Sequence, residues 1–282
     1  MRVALTGSSG KIGREAAKAL KAAGHGVIGL DLTGGFNEGY RTAAVDCADF
    51  GEVLGALSGI DTLGKPDAVI HLAGIPAPGL AVDDRIFRIN FQSTYNVFSA
   101  CARLGINRVV WASSETILGM PYADAPAFLP LDETAPLLPN WSYALSKKLG
   151  EDMADQFVRW HPAMSIASLR FSNVFAEADY ATRGSIDTKP DVRRVNLWGY
   201  VDARDCGEAC RLAVEADFTG HEPMIIAATD SVCAVPSAEL AARFFPDVPV
   251  KAPLEGNVSL LSSERARQVI GYEPRHSWRD RA

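Results

Sequence analysis

Residues 2–13 constrain what this chain can fold into more than any other stretch. An apolar run at 3–5 reads as a buried strand and ends in Thr6-Gly7-Ser8-Ser9-Gly10-Lys11-Ile12-Gly13, after which an amphipathic helical pattern begins. Gly7 permits a tight turn, Gly10 lets the backbone approach a pyrophosphate, and Gly13 lets helix and strand pack closely. The free N–H groups at the positive end of the helix then face the anion. Three glycines at this spacing are a weak signal alone. Their position after a strand and before a helix, at the head of a βαβ unit, is what gives them meaning. Strand-like runs at 3–5, 27–30, 43–45, 68–72, 109–112 and 166–169 alternate with helical stretches near 11–23, 49–58, 83–104 and 142–160. That rhythm calls for an α/β fold, a doubly wound and mostly parallel sheet with helices on both faces.

Beyond about residue 171 the rhythm loosens. A helix is expected at 204–215, a short strand at 224–227, and helices near 236–245 and 262–270. The expected division is a cofactor-binding domain over 1–170 and a mainly substrate-binding lobe over 171–282, partly interleaved with the sheet.

The chain has 282 residues, a formal charge of −6, 48% hydrophobic and 22% charged residues, ample for a packed core. Excess acid without a Lys/Arg run argues against nucleic acid as a partner. Strand-like sequence from residue 2 leaves no room for a signal peptide, and the longest charge-free apolar stretch, 68–82, is broken by Pro76 and Pro78. A cytoplasmic protein without a membrane partner is expected. Five cysteines, at 47, 101, 206, 210 and 233, form no Cys-x-x-Cys and read as buried small hydrophobes. Cys206 and Cys210 share a helical face but have no ligand-like companions, so no metal is expected.

Asp31 ends the second strand, eighteen residues after Gly13. A carboxylate there accepts from a ribose 2′-OH and repels a 2′-phosphate, which favours NAD over NADP. Asp46, with Cys47 beside it, follows the third strand, where a short polar side chain can meet an adenine edge. His71-Leu72-Ala73-Gly74 follows the fourth, where small residues let the backbone skirt a cofactor. Both lie at carboxyl ends of parallel strands, where such sheets bind ligands.

Tyr143 and Lys147 stand four apart in Trp141-Ser142-Tyr143-Ala144-Leu145-Ser146-Lys147. On a helix they share one face, so the ammonium can sit near the phenol or a ligand the phenol also touches. A nearby cation is one of the few ways to lower a tyrosine pKa from near ~10.

Taken with these residues, Asn90, Ser113-Ser114, Leu169-Arg170-Phe171-Ser172-Asn173-Val174, Tyr200-Val201-Asp202-Ala203-Arg204-Asp205 and Gly271-Tyr272-Glu273-Pro274 give a chain that resembles the extended short-chain dehydrogenase/reductases, the NAD-dependent epimerase/dehydratase family. The resemblance is strongest from Met1 to about Arg170. It implies a Rossmann-like fold and an NAD-dependent oxidoreductase moving a hydride at a hydroxyl-bearing carbon of a sugar-like substrate. It makes Tyr143 the acid/base and Lys147 the holder of the nicotinamide ribose. Ser114 becomes the hydroxyl that bonds the reacting oxygen, with Ser113 as the alternative. Bottom-up this is sensible, because a proton leaves oxygen as hydride leaves carbon, so phenol and hydroxyl must converge on that oxygen. Ser9, Lys11, Ile12, Asn90, Ala112, Phe171 and Asn173 join the implied cofactor set; Ser114, Glu115, Asn173 and Arg183 form the implied substrate set. A homodimer is also implied, joined through the helices near 83–104 and 142–160, with Phe87, Phe91, Tyr95, Phe98 and Phe157 as candidate apolar surface.

Two departures from the family pattern stand out. Nucleotide-sugar relatives commonly place a diphosphate-gripping arginine seven residues before the aspartate matching Asp205, and Trp198 stands there, leaving Arg183, Arg193 or Arg194 as substitutes. Uronate dehydrogenases, which this chain resembles over 71–119, carry a substrate-facing asparagine where Glu115 stands, and a carboxylate there repels a uronate. Glu115 either bonds hydroxyls of a neutral polyol or points to solvent. Three functions compete: a dehydrogenase acting on a sugar without a nucleotide handle, a sugar epimerase such as a UDP-hexose 4-epimerase, and a non-catalytic NAD-sensing regulator, which the Tyr/Lys pair argues against.

Overall fold

The computed structural model describes all residues except 38, 61–63, 123, 183 and 282. Strand β1 (Arg2–Thr6) leads into helix α1 (Lys11–Ala22), then β2 (Gly26–Asp31), β3 (Gly35–Asn37), β4 (Tyr40–Ala44), α2 (Phe50–Ser58), β5 (Ala68–His71), α3 (Asp83–Leu104), β6 (Arg108–Ser114), α4 (Ser142–Trp160) and β7 (Ser165–Phe171). The later chain forms β8 (Val174–Phe175), α5 (Gly184–Thr188), β9 (Val201–Asp202), α6 (Ala203–Glu215), β10 (Gly220–Ile226), α7 (Ser237–Phe244) and α8 (Glu264–Ile270).

The main sheet runs β10-β7-β6-β5-β1-β2-β4-β3 and is parallel throughout except for the β3/β4 pair. The order reverses at β1, which pairs with β2 on one side and β5 on the other. A crevice therefore opens at the carboxyl ends of β1 and β5, the place where doubly wound sheets take ligands. Side-chain alternation assigns the layers. Val3 and Leu5 pack with Ala16, Ala17, Leu20, Cys206 and Ala209 beneath α1 and α6, whereas Ala4 packs with Val53, Val97 and Phe98 beneath α2 and α3. Both faces of the strand are buried, so it reads as an unbroken apolar run rather than an alternating one.

A separate apolar cluster includes Leu118, Trp198, Tyr200, Leu240, Leu261 and Trp278. The expected elements form within a few residues of their predicted limits. The β3/β4 hairpin was not foreseen, since three residues beginning with glycine carry no readable alternation. Strand β10 starts earlier than expected and pairs with β7, extending the main sheet. All five cysteines are free and buried. Among the described residues no three His, Cys, Asp or Glu side chains gather as a metal site, and no helix is long and apolar enough to cross a membrane.

The aromatic residues of α3 and α4 divide differently from expectation. Phe98 and Phe157 are buried, packed edge to face on each other, with Phe98 also against Trp111, so they serve their own core. Tyr95 and Trp160, on either side of Phe157, remain exposed, and Phe87 stacks on Phe91 at the half-buried margin.

Candidate active site

A cavity of about 1140 Å3 occupies the crevice, lined from the α1 amino end through β5 and β6 to the loop 192–196. Its size exceeds an ordinary small-ligand pocket, as a dinucleotide with a second molecule requires.

At one end lies the glycine loop. Gly10 caps α1 without any side-chain bond and no acidic residue stands in the first turn, so the first N–H groups face the cavity uncompensated. Gly7 has φ +65°, and a Cβ there would lie 2.7 Å from Ala73 N; one on Gly13 would lie 2.1 Å from Gly7 O. Only glycine lets strand, turn and helix close this tightly and leave room for a phosphate. Asp31 fixes the rim: its Oδ2 accepts from Ser9 N at 2.9 Å and its Oδ1 from Leu32 N at 2.8 Å. Lys11 reaches across to Asp179 at 2.7 Å and to Val174 O at 3.0 Å, tying the loop to the segment after β7. These features fit a dinucleotide: a bare helix amino end for pyrophosphate and a carboxylate for the ribose diol.

Of the predicted cofactor residues, Ser9, Lys11, Ile12, Asp31, Asp46 and Cys47 line this end. Leu72, Ala73, Gly74, Ala112, Phe171 and Asn173 line the middle. Asn90 does not. Its Oδ1 accepts from Ile75 N at 2.7 Å and its Nδ2 donates to Ile75 O at 3.0 Å, so the amide shapes the loop after β5 instead of reaching the cavity. Arg183 lies outside the described residues. His71 is buried between Thr6 and Thr94, and burial lowers its pKa to about 3, keeping it neutral.

At the other end stand Tyr143 and Lys147 on the first turns of α4, with Ser114 at the end of β6. Lys147 Nζ donates to Ala112 O at 2.7 Å and lies 5.7 Å from the Tyr143 ring centre. Burial lowers its pKa to about 8. The Ser114 Oγ accepts from Thr116 N at 3.2 Å, capping the short 3-10 turn Glu115–Leu118.

The phenol departs from expectation. Burial raises Tyr143 to about 12, a rise the Ser114 hydroxyl opposes and the Glu115 carboxylate adds to. The lysine does not offset this desolvation, so the neutral phenol prevails until further positive charge enters the site.

Glu115 turns inward, only 6% exposed, rather than to solvent. Burial raises it to about 7 against the opposing pull of Ser172, Arg193, Asn196 and the Asn173 backbone. The last four come from the irregular region after β7, where no periodicity marked Ser172 or Asn196 for attention. Trp198 is fully buried, its Nε1 donating to Pro190 O at 2.6 Å and its ring packed on Phe244 and Phe245.

A dinucleotide crevice ending in a serine, a tyrosine and a lysine defines an NAD-dependent oxidoreductase on a Rossmann-like sheet. The chain belongs to the NAD dependent epimerase/dehydratase family, whose model matches residues 3–227. It is 29% identical over 282 aligned positions, 97% of this chain and 96% of the relative, to an L-arabinose 1-dehydrogenase (NAD(P)(+)) of Haloferax volcanii. It is 35% identical to a UDP-glucose 4-epimerase of Mycolicibacterium smegmatis, but over 54% of this chain and only 49% of that one. Among solved structures, a short-chain dehydrogenase/reductase superfamily protein from Agrobacterium tumefaciens with bound NAD superposes with a TM-score of 0.73 at 24% identity, covering 99% of this chain and 94% of that one. It shares the fold.

Proposed function

We propose that this protein is a dehydrogenase that oxidises an anomeric or secondary alcohol of a free sugar, with NAD as hydride acceptor. The observation that carries this reading is Trp198. Where nucleotide-sugar relatives commonly hold a diphosphate with arginine, an indole is sealed into the core with its one donor spent on Pro190. The near full-length likeness to the arabinose dehydrogenase supports the same choice.

In this reading residues 1–170 bind the cofactor and 171–282 mainly shape the substrate end. Tyr143, as the phenolate that positive charge beyond Lys147 would produce, takes the proton of the substrate hydroxyl, Ser114 bonds the same oxygen, and Lys147 holds the nicotinamide ribose, its ammonium oriented by Ala112 O. Bound NAD supplies the acceptor for the hydride leaving carbon. The proposed setting is the cytoplasm and the proposed assembly a homodimer through α3 and α4, supported by exposed Tyr95 and Trp160.

The test incubates the protein and NAD with free aldoses and, separately, UDP-linked hexoses, following NADH absorbance and product stereochemistry. NADH formed only with free sugars is expected. An inverted UDP-hexose with no net NADH would establish an epimerase instead.

A further inference from the structure

Six buried side-chain polar atoms lack a hydrogen-bond partner among the described residues, and five of them belong to residues lining the one cavity just described: Glu115 Oε2, Trp141 Nε1, Ser172 Oγ, Arg193 Nε and Asn196 Oδ1. Buried polar atoms are nearly always bonded, and each one left bare costs about 1–3 kcal/mol. Four of the five residues stand together, since Ser172, Arg193 and Asn196 all act on the Glu115 carboxyl, and Trp141 lines the same cavity. They are what a ligand completes.

Their local anchoring shows that they are held in place. Arg193 Nη2 and Asn196 Nδ2 both donate to Gly199 O, at 3.1 and 3.2 Å, which leaves Arg193 Nε and Asn196 Oδ1 bare. The turn that brings them there contains two consecutive non-glycine residues in the left-handed region, Leu197 at φ 55° and Trp198 at φ 52°. Such backbone costs free energy and persists where the surroundings over-determine it. Here burial of Leu197 and Trp198 provides that.

The chemistry of the set identifies its ligand class. Glu115 Oε2 and Asn196 Oδ1 accept, Arg193 Nε and Trp141 Nε1 donate, and Ser172 does either. A hydroxyl also donates and accepts, so a polyol satisfies such a mixed wall. A carboxylate or phosphate only accepts, and above about pH 7, where Glu115 is ionised, would bring a second negative charge beside it. We propose that Glu115, Arg193, Asn196, Ser172 and Trp141 form a subsite for the hydroxyl groups of an uncharged sugar, with Glu115 as the residue that rejects sugar acids. This rests on the sugar-dehydrogenase reading and adds the substrate's charge class to it. The Arg193 guanidinium is the cation facing Glu115; burial lowers its pKa and the carboxylate opposes that. One partner of each sign makes the subsite neutral on balance.

The test measures binding separately from turnover. The NADH-loaded protein is titrated calorimetrically with L-arabinose, D-xylose, D-galactose and D-glucose, and with D-galacturonate and D-glucuronate, while parallel samples with NAD are followed for NADH. At least one neutral sugar is expected to bind tenfold or more tighter than either uronate. Glu115→Gln, which keeps size and one acceptor, should narrow that ratio about tenfold. Arg193→Ala should weaken the neutral sugar about tenfold to a hundredfold without moving NADH affinity, the usual worth of a hydrogen bond to a charged group. Thermal melts confirm folding of both variants. Uronates binding as well as neutral sugars, a ratio unmoved by Glu115→Gln, or no binding of any neutral sugar would overturn the subsite. Selective binding without NADH formation would instead sink the dehydrogenase reading and leave the subsite standing.

Discussion

Ser113 donates its hydroxyl to Glu151 at 2.7 Å, in a carboxylate also gripped by Arg170 through Nε at 2.9 Å and Nη2 at 2.7 Å. That bond separates two adjacent serines into different tasks. Successive strand residues point to opposite faces, so Ser113 is committed to the buried ion pair while Ser114 lies beside the Tyr143 phenol. Sequence alone had left the two open.

The first prediction follows. Tyr143→Phe should reduce turnover by roughly two to four orders of magnitude with NAD affinity nearly intact, the usual worth of a positioned proton-transfer group. Ser114→Ala should lower turnover without changing NAD affinity. Ser113→Ala should instead lower thermal stability, since it strips one bond from the Glu151 carboxylate. Titration, steady-state rates and melting curves separate these outcomes. A Ser113→Ala protein that melts normally but does not turn over would exchange the two roles.

At the cofactor end, Gly13→Ala should abolish measurable NAD binding in equilibrium titration, because the added methyl would lie 2.1 Å from Gly7 O and force the turn open. Asp31→Asn should keep the Ser9 N contact but lose the charge that repels a 2′-phosphate, so the preference for NAD over NADP should shrink several-fold. An unaltered ratio of the two dissociation constants would remove Asp31 from that role.

The parts of the site legible in the sequence were those fixed by local geometry. The glycine loop is readable because strand, turn and helix impose spacing on it, and Tyr143 with Lys147 because a helix repeats every 3.6 residues. For Asn90 the sequence leaves open whether the amide reaches a ligand or only bridges backbone, because an asparagine within a helix shows no sign of which; here it holds Ile75. The low phenol pKa expected from Lys147 failed for another reason: sequence shows a neighbouring charge but not the burial that outweighs it. Ser172 meets Glu115 through the sheet, because the β6/β7 register sets Ser114 opposite Phe171 and these two residues come next, whereas Arg193 and Asn196 come from an irregular loop that no period encodes.

Trp198→Ala should cost about 3–5 kcal/mol of stability, the range for removing a large buried aromatic. Trp198→Arg should be at least as damaging and should not create UDP-sugar binding, because that position faces Phe244, Phe245 and Pro190 within the core. Chemical denaturation and calorimetric titration with a UDP-hexose measure the two claims. A stable arginine variant that binds the nucleotide would show that the position opens onto the substrate end after all.

Glu115 gives stability a pH signature. Its pKa in the folded protein is raised to about 7 from an ordinary 4.5, so the folded state holds a proton that the unfolded state releases. The stability contributed is therefore fully present below about pH 4.5 and is lost as pH rises through about 7, amounting at most to about 3 kcal/mol. Glu115→Gln cannot ionise and should be free of this component. Wild type should lose stability relative to Glu115→Gln as pH rises from 5 to 8, as measured by urea denaturation at each pH. Other titrating groups move both proteins alike, so the difference curve isolates this carboxyl. A flat difference would mean that Arg193, Ser172 and Asn196 compensate the charge fully, and that Glu115 is ionised at neutral pH without cost.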